Sequence, residues 1–226
     1  MDKNKLNNYK IKILDNSNNK SKKWDILAKV EIVGDCQVGK SSITKKLSKN
    51  IFISEYIPTT QYNIFPFQIK INDTIIKFQL FDMCAKEYNR PALFNLYRNA
   101  NIGILVYSIT DYNSFKNLDN WITQMRQNAS DNNKIILLGN KADEEDKREV
   151  SYKEGEQICQ KYNLELFMEV SAKNGFTSPN FLEIASVYIY EDYLTQDKAD
   201  TSLMNNSESI IISQTFSRNK NLGCCF

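Results

Sequence analysis

The chain contains no histidine. Metal sites of the Cys/His type are therefore excluded. The five cysteines, Cys36, Cys84, Cys159, Cys224 and Cys225, lack metal-ligand spacing, which leaves an ordinary four-cysteine site implausible as well. Nowhere does an 18-residue apolar segment occur, so no membrane-spanning helix is expected. The opening stretch, MDKNKLNNYKIKILDNSNNKSKK, has no 7-residue apolar run and does not read as a secretory signal. Neither sign of charge dominates: 29 basic and 27 acidic residues leave a net charge of +2, with no lysine/arginine stripe interleaved with aromatics. Nucleic acid is accordingly not an expected partner. These absences imply a soluble chain in a reducing, cytosolic setting. What is present, 42% hydrophobic and 12% aromatic residues over 226 positions, suits one α/β domain with tails and one sizeable core.

The most informative stretch is LAKVEIVGDCQVGKSS, Leu27 to Ser42. An apolar strand-like run, Ile26 to Val33, ends in Gly34, and four residues later comes Gly39-Lys40-Ser41, the spacing of a phosphate loop. Glycines let such a loop turn its backbone N–H groups onto a polyphosphate, and a helix starting at Lys40 presents its positive end to the same anion. The candidate phosphate-binding residues are Gly34, Asp35, Cys36, Gln37, Val38, Gly39, Lys40, Ser41 and Ser42. Lys40 would reach the outer phosphates and the Ser41 hydroxyl would ligate Mg²⁺. Standing alone, the pattern also fits a glycine-rich turn between a strand and a helix.

Along the chain, residues 1–23 read as a flexible extension whose apolar patch (Tyr9, Ile11, Ile13, Leu14) is either a transient strand or, the favoured reading, a segment that frays. Strands are expected at Ile26–Val33, Ile64–Ile71, Thr74–Phe81, Ile102–Ser108, Lys134–Gly139 and Leu164–Val170. Asn72-Asp73 joins the second and third of these as a hairpin, giving an antiparallel edge to an otherwise parallel sheet. Helices are expected at Lys40–Lys49, Ser114–Gln127 and Ser151–Tyr162, with a last one opened by Ser178-Pro179 and reaching Tyr193. The stretch from Asn50 to Asn63 reads as a loop. The fold class is α/β: a three-layer, mostly parallel six-stranded sheet with helices on both faces and ligand loops at the strands' carboxyl ends. Beyond Leu194 the chain turns polar, and residues 195–226 read as a flexible tail.

Base recognition is offered by Asn140-Lys141-Ala142-Asp143 after a buried strand. The Asp143 carboxylate can accept both the N1–H and the 2-amino hydrogens of guanine, and Lys141 can lay its stem across the base. Ser171-Ala172-Lys173 follows one strand later. At this point the sequence resembles the small GTPase superfamily and, within it, the Rab family, over residues 24–194. The resemblance rests on GDCQVGKSS, KFQLFD, LYRNA, LVYSITDYNSFKNLDNWI, LGNKAD and EVSAKNG in family order. It implies a phosphate-loop G-domain binding GTP/GDP with Mg²⁺. It also implies that Thr59 ligates the metal when the γ-phosphate is present, that Asp82 supports that metal, that Phe52 stacks on the guanine, and that Ala172 offers its N–H to the base. Thr59 would belong to one of two loops that γ-phosphate and Mg²⁺ hold and that let go after hydrolysis.

Departures from the family pattern concentrate where hydrolysis would occur. Asp-x-x-Gly-Gln is replaced by Asp82-Met83-Cys84-Ala85-Lys86, so Ala85 stands for the flexible glycine and Lys86 for the water-orienting glutamine. A lysine cannot accept a hydrogen bond from the attacking water. Lys86 is either a solvated side chain on a loop or an ammonium that reaches the γ-phosphate; both readings give weak intrinsic hydrolysis. Gln37 stands where the family usually has glycine, which either strains the loop or alters its affinity. TTQYNI after Pro58 also departs from the family's segment, leaving partner choice open.

The chain ends Gly223-Cys224-Cys225-Phe226. A C-a-a-X box would require cysteine at 223. The ending resembles the double-cysteine termini of Rabs, which implies geranylgeranylation of Cys224 and Cys225, stable membrane anchoring through two lipids, and cycling between cytosol and the cytosolic face of an intracellular membrane. The functional expectation is a guanine-nucleotide switch in vesicle traffic, with effector, exchange-factor, GTPase-activating and prenyl-chaperone partners. The alternative is a GTP-locked or nucleotide-structural Rab-like scaffold, which Ala85, Lys86 and Gln37 favour. A phosphate-loop kinase is disfavoured because the Asn140 and Ser171 motifs select guanine.

Overall fold

A computed structural model describes residues 6–14, 23–55, 57–59, 63–82, 100–128, 134–176 and 180–196. The chain divides into two compact units, Met1–Val187 and Tyr188–Phe226. In the second, residues 188–196 are helical.

The first unit is built on a seven-stranded sheet: β1 (Ile11–Leu14), β2 (Ile26–Val33), β3 (Asn63–Ile71), β4 (Thr74–Asp82), β5 (Ile102–Ser108), β6 (Lys134–Asn140) and β7 (Leu166–Glu169). Their order across the sheet is β1-β3-β4-β2-β5-β6-β7. From β4 to β7 every pairing is parallel, and β3 pairs antiparallel with both β4 and β1. Two expectations are corrected here. The sheet has seven strands rather than six, and the antiparallel strand β3 is not its edge. The Ile11–Leu14 patch pairs because β3 offers it a free side: Ile11 lies opposite Ile71 and Leu14 opposite Gln68, with Lys10 and Asn72 exchanging hydrogen bonds at the turn. The register ends at Gln68, so Pro66 sits in a stretch of β3 with a strand on one side only, where a missing N–H is tolerated. The expected hairpin turn is present, Asn72 adopting a left-handed φ of 53°.

Strands β5 and β6 bury nearly every side chain, as parallel strands covered on both faces must. The helices are α1 (Lys40–Lys49), α2 (Tyr112–Lys116), α3 (Leu118–Asn128) and α4 (Tyr152–Lys161), with residues 181–187 helical at the end of this unit. A single helix over Ser114–Gln127 was expected; instead the chain breaks at Asn117 into α2 and α3. Asp111 starts α2 early by accepting the N–H groups of Asn113 and Ser114, and α3 then aims Leu118, Trp121, Ile122 and Met125 into the core beneath β5 and β6. Ser151 and Glu154 close α4 with a reciprocal capping box. Among the described residues, no helix is long and apolar enough to cross a membrane.

Candidate functional site

The carboxyl ends of β2 and β6 meet at a cavity of about 300 Å³, a size that suits a small-molecule ligand. Gly34 closes β2 at a φ of +138°, and a Cβ there would lie 2.1 Å from the Val106 carbonyl oxygen, so only glycine lets the loop leave the sheet at this point. Gly39, at φ +97°, has the same constraint: its Cβ would sit 2.2 Å from the Asn140 side-chain nitrogen. Helix α1 begins directly after Gly39, with no side-chain cap and no acidic residue in its first turn, so its N-terminal amides face the cavity as an anion-binding end.

Cys36, Gln37, Gly39, Lys40, Ser41 and Ser42 line the cavity, and so do Phe52, Thr59, Asn140, Lys141, Asp143, Ala172 and Lys173. The structure thus brings most of the anticipated residues together. Gly34, Asp35, Val38, Asp82 and Ser171 are absent from the wall and act on it from behind. Lys40 Nζ donates to the carbonyl oxygens of Gly34 (2.8 Å) and Asp35 (2.6 Å), which folds the ammonium back over the loop. The Ser41 hydroxyl is 2.8 Å from that of Thr59, so the helix and the residue 52–59 loop touch through two oxygens. Asp82, at the end of β4, is buried, and its Oδ1 has no hydrogen-bond partner among the described residues. Burial raises its carboxyl above the ordinary range, while the Ser41 hydroxyl and the Lys40 and Lys45 ammoniums oppose the rise. Two hydroxyls and an orphaned carboxylate oxygen are a donor set that fits a hard divalent cation such as Mg²⁺.

On the other side, Asn140 is a cross-brace. Its Nδ2 donates to the Val38 carbonyl at 2.8 Å and its Oδ1 accepts the Ala172 N–H at 3.2 Å, tying β6 to the phosphate loop and to the Ser171 loop. The Ala172 N–H, expected to face a base, is directed at Asn140 in this structure. Asp143 accepts the Ser171 hydroxyl at 2.6 Å and has Lys173 Nζ at 3.9 Å. Behind it, Arg148 is bidentate to Glu169 (2.7 and 2.8 Å) and also bonds Glu145, which fixes the segment after Asp143 and raises the Arg148 pKa.

Sequence reasoning missed Lys45, Ile53, Ser54, Glu55, Ile57, Pro58 and Glu144, all of which line the cavity. Lys45 was detectable, being one helical turn beyond Ser41 on the same face. Ala85, Lys86, Cys224 and Cys225 lie outside the described residues. Gln37 adopts a φ of 64°. This is left-handed backbone on a residue with a Cβ, so Gln37→Gly is expected to stabilise the protein by about 0.5–1 kcal/mol. Thermal unfolding with and without nucleotide checks it, and an unchanged or lower midpoint refutes the strain.

Residues 29–188 match the family model described as Ras family. The chain is 33% identical over 188 residues to Ras-related protein Rab-11B of Dictyostelium discoideum, covering 83% of this chain and 84% of that protein. It is 32% identical over 206 residues to Ras-related protein SEC4 of Candida albicans, covering 91% and 97%. Bovine (Bos taurus) Ras-related protein Rab-8A is 36% identical over 160 residues, covering 71% and 77%. With a cavity lined by the phosphate loop and the Asn140 motif, and relatives of this extent, the chain belongs to the Ras family, as one of its Rab-type small GTPases.

Proposed function

We propose that this protein is a Rab-type switch that binds GTP and GDP with Mg²⁺ and regulates intracellular membrane traffic, with weak intrinsic hydrolysis. The observation that carries the reading is the 2.8 Å contact between Ser41 of α1 and Thr59 of the residue 52–59 loop, beside the orphaned Asp82 oxygen. Ser41, Thr59 and Asp82 would hold the metal, whose charge offsets that of the phosphates when it is bound. Lys40 and the α1 amides bind and orient the β and γ phosphates. Asp143 selects guanine through its paired acceptor oxygens, with Ser171 holding its carboxylate in place. Thr59 makes the state of its loop depend on what Ser41 and the phosphates offer it, an order-to-disorder device.

Lys86 and Ala85 carry the proposal of weak hydrolysis. Lysine has no acceptor for the attacking water, and alanine disfavours the positive φ a glycine would reach. Single-turnover hydrolysis should rise at least about 10-fold in Ala85→Gly/Lys86→Gln, in line with the size of general-base and water-positioning effects. Equal rates in the two proteins would remove the argument. Gln37, at φ 64°, favours a second reading in which the protein is a GTP-locked scaffold without turnover. Nucleotide extracted from the purified protein separates the two, since mixed GTP and GDP supports the switch and GTP alone the scaffold. The same proposal takes residues 24–194 as the G-domain. It takes 195–226 as a tail anchored by geranylgeranyl groups on Cys224 and Cys225. An intact mass from the native source lacking added lipid would refute the anchor.

A further inference from the structure

The crest of the phosphate loop, Asp35 to Val38, is held at both ends by side chains from elsewhere in the sheet's helical face and strands. At the Val38 end the holder is Asn140, already described. At the other end the Asp35 carboxylate accepts two hydrogen bonds: Trp121 Nε1–H to Oδ1 at 2.8 Å and Asn117 Nδ2–H to Oδ2 at 2.6 Å. Between the two tethers, Cys36 and Gln37 are exposed, and Gln37 is in a left-handed conformation. Asp35 also supplies, through its carbonyl oxygen, the 2.6 Å contact to Lys40 Nζ. One residue therefore sets both the loop's attachment and the position of the phosphate-seeking ammonium.

We propose that Asn117 and Trp121 are positioning residues for nucleotide binding, acting through Asp35 to hold the phosphate loop in its binding shape. The break between α2 and α3 gives this contact its geometry. Asn117 sits at the junction, its N–H bonded to the Asn113 carbonyl and its own carbonyl accepting the Trp121 N–H at 3.2 Å. Trp121 lies one turn further on, inside α3, so the two side chains face the same side. Its ring is buried among Val33, Leu118 and Ile122 while the indole N–H points out at Asp35. A rigid core aromatic thus anchors an exposed loop, and a loop already ordered loses less entropy when phosphates arrive. Two donors on one carboxylate keep the Asp35 charge engaged with α3, which leaves Lys40 to the loop and its ligand.

This inference rests on the nucleotide reading above. The test uses the full-length protein loaded with a fluorescent N-methylanthraniloyl derivative of GDP and chased with GDP. Release from Trp121→Phe, which keeps the buried ring, should be about 10-fold faster than from wild type, the usual loss for one hydrogen bond to a charged group. Asn117→Ala, a change at an exposed position, should accelerate it roughly 3- to 10-fold. Because the tie runs through Asp35, Trp121→Phe should add little to the effect of Asp35→Ala. A second readout tests the hydrogen bond itself. The chain has two tryptophans, Trp24 and Trp121, so Trp24→Phe leaves one indole N–H resonance, and Asp35→Ala should shift it. Release within two-fold of wild type in both single variants overturns the inference while leaving the nucleotide reading intact. So does independent multiplication of the Asp35 and Trp121 effects, or an unmoved indole resonance. Wild-type protein that binds neither GDP nor its fluorescent derivative overturns both.

Discussion

Asn140→Ala is expected to lower guanine-nucleotide affinity at least about 100-fold and to destabilise the protein by about 2–4 kcal/mol, the cost of stranding two buried backbone groups. Asn140 is 2% exposed and its amide serves the Val38 carbonyl and the Ala172 N–H, both on buried residues. Removing the amide leaves both orphaned and disconnects the two loops that would flank phosphate and base. Gly39→Ala strikes the same bond from the other side. Its Cβ would press to 2.2 Å from the Asn140 nitrogen on backbone at φ +97°, so the two variants combined should fall well short of additive. Calorimetric titration with GDP and denaturant unfolding report the two losses separately. Wild-type affinity in Asn140→Ala would show that the brace is dispensable.

The brace also marks where sequence reading stops. Helix α1 and strand β2 were legible to the residue, because the phosphate-loop spacing fixes their ends and β2's apolar pattern its body. Asn140 was legible as a motif member, but its partners Val38 and Ala172 lie 102 and 32 residues away, and no local pattern encodes such pairings. Strand β1 was missed for a related reason. Four residues flanked by polar sequence carry too little propensity to form a strand alone, and Ile11–Leu14 becomes one only because β3 presents an open side. The break at Asn117 was hidden by an unbroken apolar periodicity from Phe115 to Met125. The Asp111 cap and the Asp35 contacts that accompany the break are set locally and across the fold, respectively. The apolar reading of β2 concealed two charged residues, Lys29 and Glu31, the second of them fully buried.

Glu31→Leu is expected to stabilise the protein by about 2–3 kcal/mol, raising the unfolding midpoint by roughly 5–10 °C for a chain of this size. Glu31 lies at the middle of the sheet, opposite Phe81 on β4 and Gly103 on β5, and is 0% exposed. Neither carboxyl oxygen has a hydrogen-bond partner among the described residues. Lys29, two residues back on the same face, attracts the carboxylate, but the loss of hydration outweighs it and the Glu31 pKa is raised well above its ordinary 4.5. The native state therefore keeps a proton that the unfolded chain releases. Below about pH 4.5 both states are protonated and there is no penalty. As pH rises past that value, stability falls by up to about 1.4 kcal/mol per unit until the native carboxyl itself ionises. Wild-type protein saturated with GDP should accordingly lose stability as pH rises above about 5, a slope that Glu31→Leu reduces, the rest coming from groups such as Asp82 whose raised carboxyl contributes with the same sign. Glu31→Gln separates charge from polarity: it should reduce the slope as much, yet gain less, because its amide still lacks partners in the same strand. A Glu31→Leu protein that is less stable than wild type, or that keeps the wild-type slope, would mean that the buried carboxyl is satisfied in solution and that the sheet was built around its charge.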